Sequence, residues 1–206
     1  MSRGMLTLAD VIEGLTGNRP QDWGQSISRT VVDSRRAEPG ALFVALKGER
    51  VDGHDYVADA FSRGAVAAIV ERSVELEAPT LDLAEKPGFS QKPGFFPQLP
   101  LLIKVPNSLH ALQQMATFWR QRHRVRVVGI TGSVGKTTTK ELAAAVLARR
   151  YVTLKSEASF NNEIGLPLTL MHLTDEHERA VLEMGMYDVG EIADLARIAR
   201  PDVGIV

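Results

Sequence analysis

The chain has 206 residues, is 44% hydrophobic and 24% charged, and carries a formal net charge of −1 at pH 7. That balance supports a real core and gives no sign of bulk nucleic-acid binding, while the absence of cysteine excludes a disulfide framework, a thiolate metal site and a cysteine nucleophile. The N-terminal segment MSRGMLTLADVIEG lacks the apolar core of a signal peptide, and no apolar run approaches the ~20 residues needed to span a bilayer. A soluble, cytoplasmic protein with no membrane insertion is therefore the expectation.

In chain order, Leu6 to Leu15 reads as a short helix, with Thr7 placed to cap its start and Gly17 beyond its end. Ser28 to Asp33 holds a strand, TVVD, followed by Ser34, Arg35 and Arg36. Ser34 with Arg35 suits an anionic group, and equally suits the capping and solvation of a strand end. After the turn at Pro39-Gly40 comes an apolar strand, ALFVAL at Ala41 to Leu46, which runs into a polar loop from Lys47 to His54. His54 alone reads as a turn or surface histidine rather than a catalytic base. Asp55 to Arg63 suits a helix closed by Gly64, and Ala65 to Val70 is another buried strand. This first part reads as a small α/β domain.

Pro79 to Pro100 is different. It holds five of the ten prolines and a near-repeat, KPGF at Lys86 and again at Lys92, and no period fits it. It reads as an exposed, mobile insertion, with a Pro-rich partner-binding segment as the alternative. A strand returns at Leu101 to Val105. Pro106 then marks a boundary, and Asn107 or Ser108 is placed to cap a helix over Leu109 to Gln121. The basic end of that helix, RQRHRVR, reads as cations at a helix C-terminus rather than as a nucleic-acid patch. The expected domains are residues 1–105, with the insertion at 79–100, and residues 106–206.

The stretch RVVGITGSVGKTTTK, Arg126 to Lys140, carries the clearest chemistry. A short apolar strand turns through Gly132, Ser133, Val134 and Gly135 and enters a helix-forming run at Lys136. A glycine-rich loop before a helix aims several backbone N–H groups at one spot, and the helix N-terminus adds partial positive charge. A phosphate fits there. Lys136 would reach the terminal phosphates and the Thr137 hydroxyl would meet Mg²⁺. The usual pattern has a glycine five residues before Gly135. Ile130 stands there instead, so this is a variant loop, TGSxGKTT.

From there the pattern is strand then helix, repeated. Strands are expected at Val127–Thr131, Tyr151–Leu154, Ala180–Met184 and Val203–Val206, and helices at Thr137–Arg150 and Val189–Ala199. Such alternation predicts right-handed crossovers and a parallel sheet, with ligands outside the carboxyl ends of the strands. Glu183 closes the apolar run AVL, so it and the loop could face one site. A carboxylate there is a natural second ligand for Mg²⁺; the alternative is a strand-end charge facing solvent. In SFNNEIGLPLTL, Ser159 to Leu170, the paired amides of Asn161 and Asn162 look like a shaped loop. Residue types alone do not choose between a site role and turn chemistry.

Together these stretches resemble the Mur ligases of peptidoglycan synthesis, specifically the MurF type. The resemblance rests on Val31 to Val70, on GITGSVGKTTTKE at Gly129 to Glu141, on SFNNEIGLPLTL, and on AVLEMGMYDVGEIADLARIARPDVGIV at Ala180 to Val206. It implies an N-terminal domain that binds the UDP part of the substrate, followed by the start of a P-loop ATPase-like, parallel-sheet central domain. By position, Ser34, Arg35, Lys47, Gly48, Glu49 and Arg50 would contact the UDP-sugar. Gly132, Ser133, Val134, Gly135, Lys136, Thr137 and Thr138 would bind ATP. Thr137 and Glu183 would serve Mg²⁺, with Lys136 and Glu183 as the catalytic candidates, and Asn161 and Asn162 would line the substrate side. Where some chains of that type carry Asn-His, this one has Met186-Tyr187-Asp188.

The implied reaction joins D-Ala-D-Ala to UDP-N-acetylmuramoyl-tripeptide through an acyl phosphate, in a monomer that takes no nucleic acid. A MurE-type ligase adding a diamino acid, a non-catalytic binding module for the UDP-muramyl-peptide, and, least well, a generic P-loop kinase are the alternatives. Because the sequence stops within an expected strand, the resemblance also implies a fragment that does not complete the ligation alone.

Overall fold

The computed structural model describes residues 4–48, 50–84, 98–157 and 160–206. Glu49, Ser159 and most of the expected insertion lie outside the described residues. The chain divides into two compact units, one of residues 5–112 and one of Gly4 with residues 113–206. The division falls inside a helix, a few residues beyond the boundary expected from Pro106.

The first unit opens with helix α1 (Leu8–Thr16). Thr7 caps it through a reciprocal capping box with Asp10, and Gly17 ends it in the left-handed conformation. Five strands follow: β1 (Thr30–Val31), β2 (Leu42–Val44), β3 (Ala67–Val70), β4 (Thr80–Asp82) and β5 (Leu101–Lys104). They form one sheet in the order β1-β2-β3-β5-β4, with every pairing parallel. Strands β2 and β3 are buried along their whole length, as parallel strands covered on both faces must be, which is why LFV and AAIV are unbroken apolar runs.

Strand β4 corrects the expectation for Pro79 to Pro100. Thr80–Asp82 is not part of a loose insertion but pairs with β5 from Leu102 to Lys104 at the sheet edge, where the Asp82 carboxylate accepts from Lys104 Nζ at 2.9 Å. Three residues are too short a run to show a period.

His54 is also not a surface residue. It sits in a 3₁₀ turn, Gly53–Tyr56, that leads into α2 (Val57–Ser62), and it is buried. Its Nε2 accepts the Glu71 N–H at 2.8 Å just past β3, so its Nδ1 carries the proton and meets Asp52 Oδ1 at 2.5 Å. The Asp52 carboxylate also accepts the His54 backbone N–H at 3.0 Å. These two bonds from His54, with help from Arg72, hold the Asp52 carboxyl down to about 2, from 3.8.

In the second unit, helix α3 (Ser108–Arg122) spans the division between units, and its start is capped by Asn107 Oδ1, which accepts from the His110 N–H at 2.7 Å. Then come β6 (Arg126–Ile130), α4 (Lys136–Leu147), β7 (Thr153–Lys155), α5 (Gly165–Leu170), β8 (Arg179–Glu183), α6 (Glu191–Ala199) and β9 (Val203–Ile205). The sheet order is β7-β8-β6-β9, again all parallel. The basic end of α3 is more than solvated charge. Arg120 is buried and donates to the carbonyls of Ala199 at 2.9 Å and Arg200 at 3.3 Å, closing the C-terminus of α6. Trp119 Nε1 donates to the Leu173 carbonyl at 3.0 Å.

SFNNEIGLPLTL, which reads as a shaped loop, contains helix α5. Pro167 stands in its first turn, where a missing N–H costs nothing, and all six residues are buried. Among the described residues, no helix is long and apolar enough to cross a membrane.

The Asp52 bonds generate a pH prediction. A carboxyl whose folded pKa is depressed adds stability above its unfolded value, here 3.8, and loses it as pH falls through about 2. Urea unfolding of Asp52→Asn should therefore show a deficit against the wild type at pH 5 that narrows steadily toward pH 2. A deficit independent of pH would count against it.

Candidate phosphate and metal site

The sheet order decides where a ligand goes. The connection leaving β6 runs through α4 to β7 on one side, while the connection leaving β8 runs through α6 to β9 on the other. Two neighbouring strands whose connections depart in opposite directions leave a crevice at their carboxyl ends. The pairing of Ile130 with Glu183 puts the phosphate loop and that carboxylate side by side at this crevice.

The loop is shaped by two glycines at positive φ, Gly132 at 131° and Gly135 at 84°, a region that side chains make costly. Its tip is open to solvent, with Val134 90% exposed. Gly135 occupies the N-cap of α4, and no described side chain caps that helix. The first bond back along the helix is from the Thr139 N–H to the Gly135 carbonyl at 2.9 Å. The N–H groups of Lys136, Thr137 and Thr138 thus have no acceptor one turn back, which is the arrangement that receives an anion. Lys136 Nζ arches across the loop to the Gly132 carbonyl at 2.7 Å. Ile130, where the ordinary motif has glycine, is buried and packs with Ala144 and Val181. That position belongs to the strand core here rather than to the loop.

Glu183 is 2% exposed, so it is not a strand-end charge facing solvent. Its Oε2 accepts the Thr137 hydroxyl at 3.0 Å and its Oε1 accepts Asn161 Nδ2 at 3.0 Å. Its backbone N–H donates to Ser156 Oγ at 3.2 Å. Lys140 Nζ stands 3.6 Å from Oε2. Sequence reasoning did not single out Lys140 or Ser156. Lysine and serine face solvent by default, and only the packing of α4 and β7 on β8 shows that these two are fully buried.

The two asparagines divide the alternatives left open by residue type. Asn162 Oδ1 accepts the N–H groups of Ile164 at 3.2 Å and Gly165 at 2.9 Å, which is turn chemistry at the start of α5. Asn161 reaches the carboxylate, and its backbone carbonyl accepts the Gly185 N–H at 2.8 Å.

The remaining candidates lie in the first unit. Ser34 is buried and Arg35 exposed in a 3₁₀ turn, Ser34–Arg36, after β1; Asp33 holds the Arg35 guanidinium at 2.7 Å and accepts its N–H at 3.1 Å. Lys47 pairs with Asp52 through an isolated bridge, and the Gly48 N–H donates to the Val51 carbonyl at 3.0 Å.

Among the described residues, no group of three or more His, Cys, Asp or Glu is placed to hold a metal ion. Thr137 and Glu183 instead offer two hard oxygen ligands beside the phosphate loop. That set fits a cation such as Mg²⁺, which keeps several waters and takes phosphate oxygens, and it does not fit zinc.

Residues 26–120 match the Mur ligase family, catalytic domain, and residues 130–206 match the Mur ligase middle domain. The chain belongs to the Mur ligase family. A UDP-N-acetylmuramoyl-tripeptide–D-alanyl-D-alanine ligase of Bacillus subtilis (strain 168) is 39% identical over 206 residues, which is 100% of this chain and 41% of that relative. The crystal structure of MurF from Acinetobacter baumannii superposes with a TM-score of 0.77 at 32% identity, covering 98% of this chain and 41% of that one. MurF from Thermotoga maritima in complex with ADP gives a TM-score of 0.66 at 34% identity, over 84% of this chain and 36% of that one. This Mur ligase chain thus spans about two fifths of the length of the relatives it matches.

Packing at the start of α5 yields a test of the site's scaffold. A Cβ on Gly165 would fall 2.4 Å from Phe160 Cα, and backbone cannot yield as a flexible side chain does. Gly165→Ala should cost about 1–3 kcal/mol in thermal unfolding, the range for overpacking a core. An unchanged melting temperature would show that the Phe160–Gly165 turn is not held this tightly.

Proposed function

We propose that this chain is the UDP-substrate-binding and nucleotide-binding part of an ATP-dependent amide ligase that adds D-Ala-D-Ala to UDP-N-acetylmuramoyl-tripeptide. The observation that carries this reading is the uncapped start of α4, with Lys136 arched over its loop and Glu183 paired beside it at the same sheet edge. The relatives named as D-alanyl-D-alanine ligases and the ADP-bound MurF support it.

In this reading the ATP phosphates rest on the N–H groups from Gly132 to Thr138, with Ser133 and Val134 at the tip. Lys136 gives up the Gly132 carbonyl for phosphate oxygens. Thr137 and Glu183 would hold Mg²⁺, which would offset the charge of the phosphates. Asn161 orients Glu183 from the substrate side, Asn162 shapes that loop, and Ser34, Arg35 and residues 47–50 take the UDP-sugar.

The reaction class is carboxylate activation. The terminal carboxylate of the peptide attacks the γ-phosphorus, the bond to the ADP oxygen breaks, and an acyl phosphate forms. The amine of D-Ala-D-Ala then attacks the acyl carbon, loses a proton and expels phosphate, leaving an amide. Two anions must meet while charge spreads over the transferring group. The Lys136 ammonium and the fixed N–H dipoles of the loop stabilise that charge without reorganising.

Titration calorimetry on the 206-residue chain tests the reading in two parts. ATP with Mg²⁺ should bind with 1:1 stoichiometry, and Lys136→Ala should weaken it by at least ~10-fold, or about 1.4 kcal/mol. UDP-N-acetylmuramoyl-tripeptide should bind as well, and Arg35→Ala should weaken it. Nucleotide binding indifferent to Lys136→Ala would contradict the phosphate assignment. Failure of the UDP-peptide to bind would contradict the substrate assignment.

A further inference from the structure

Lys140 stands out because it is both charged and fully enclosed. Its relative exposure is 0%, among the largest fully buried side chains of the protein. Burying an ammonium is costly unless an opposite charge and hydrogen bonds match it. Two carboxylates lie within reach: Glu183 Oε2 at 3.6 Å and Glu141 Oε1 at 3.4 Å. The second is half exposed and also bonded to Lys155, so it is shared and screened by solvent. The first is as enclosed as Lys140 itself.

Helix geometry explains the placement. Thr137, Lys140 and Ala144 fall at spacings of three and four residues, so they share the face of α4 that packs on β8. One helix face therefore presents a hydroxyl and an ammonium to the same carboxylate oxygen. Asn161 takes the other oxygen, and Ser156 takes the backbone N–H behind it. The carboxylate is thus fixed from several sides, and Lys140 supplies the only full positive charge that the structure records within 4.0 Å of it among the described residues.

We propose that Lys140 is a positioning residue, whose buried ammonium holds the Glu183 carboxylate in the orientation that presents it, together with Thr137, to a phosphate-bound divalent cation. The inference rests on the nucleotide reading of the site, but it concerns a residue that touches neither phosphate nor metal in that reading. Its effect must therefore pass through Glu183.

The test compares ATP affinity with Mg²⁺ and with EDTA. In the wild type, Mg²⁺ should tighten binding. In Lys140→Met, which keeps the length and apolar body of the side chain, that tightening should shrink about 10-fold, toward its value in Glu183→Gln, while affinity in EDTA stays within about 3-fold. Lys140→Arg should recover part of it. The double variant Lys140→Met/Glu183→Gln has no stranded buried anion, so it should fold even where Lys140→Met does not, and it should match Glu183→Gln alone.

Full Mg²⁺ enhancement in Lys140→Met would overturn the proposal. So would equal losses with Mg²⁺ and with EDTA, which would mean only a structural role, or a double variant differing from Glu183→Gln by more than about 3-fold. A wild type with no Mg²⁺ enhancement would instead refute the metal reading on which the inference stands.

Discussion

A carboxylate enclosed at the end of a hydrophobic strand has to be matched on every side, and much of the second unit is arranged around meeting that demand at Glu183. Thr137 and Lys140 on α4 and Asn161 on the segment before α5 meet its carboxylate, while Ser156 after β7 accepts its backbone N–H. Each partner ties one connection of the sheet to the same point. Losing Lys140 would leave the buried carboxylate without its ion-pair partner, a change that costs about 3–5 kcal/mol where a buried pair is broken. The same arrangement that stabilises the packing also places the carboxylate beside the Gly132–Gly135 loop.

The loop itself works by the opposite means. Where Glu183 is saturated with partners, the first turn of α4 is left without a cap, and its tip is exposed. A helix start with N–H groups free of acceptors is a cost that a bound anion can remove. Lys136 meanwhile rests on the Gly132 carbonyl, a neutral acceptor that a phosphate oxygen would outcompete. One side of the crevice is thus fixed by its partners, and in the proposed reading the other takes the phosphates. The parallel order β7-β8-β6-β9 is what puts them together, because it makes the connections leave β6 and β8 in opposite directions.

Much of this was legible from residue order. The run Gly132 to Thr138 gives the loop, the apolar stretch before Glu183 gives the strand, and their alternation with helices gives the parallel sheet. What was hidden depends on contacts between segments far apart in sequence. No local signal distinguishes Lys140 from a solvent-facing lysine on a helix, and its burial appears only when α4 lies on β8. His54 follows a turn-forming Asp52-Gly53 and so looks superficial, yet its ring is fixed by the Glu71 N–H, which lies 17 residues on. Strand β4 is too short to carry a pattern of its own and exists through its pairing with β5. Helix α5 contains a proline that reads as a loop former until its place in the first turn is seen. Ser34, Arg35 and residues 47–50 carry no unambiguous chemical signature of their own.

The central claim is that the Glu183 carboxylate, held by Thr137, Asn161 and Lys140, and the uncapped start of α4 form one phosphate and metal site. A crystal structure of the chain with a non-hydrolysable ATP analogue and Mn²⁺, located by its anomalous signal, tests it most directly. The account predicts phosphate oxygens on the N–H groups of Gly135 to Thr138, Lys136 Nζ moved from the Gly132 carbonyl to phosphate, and the metal peak beside Thr137 Oγ1 and Glu183. Nucleotide bound elsewhere, or bound at the loop with the metal remote from Glu183, would contradict it.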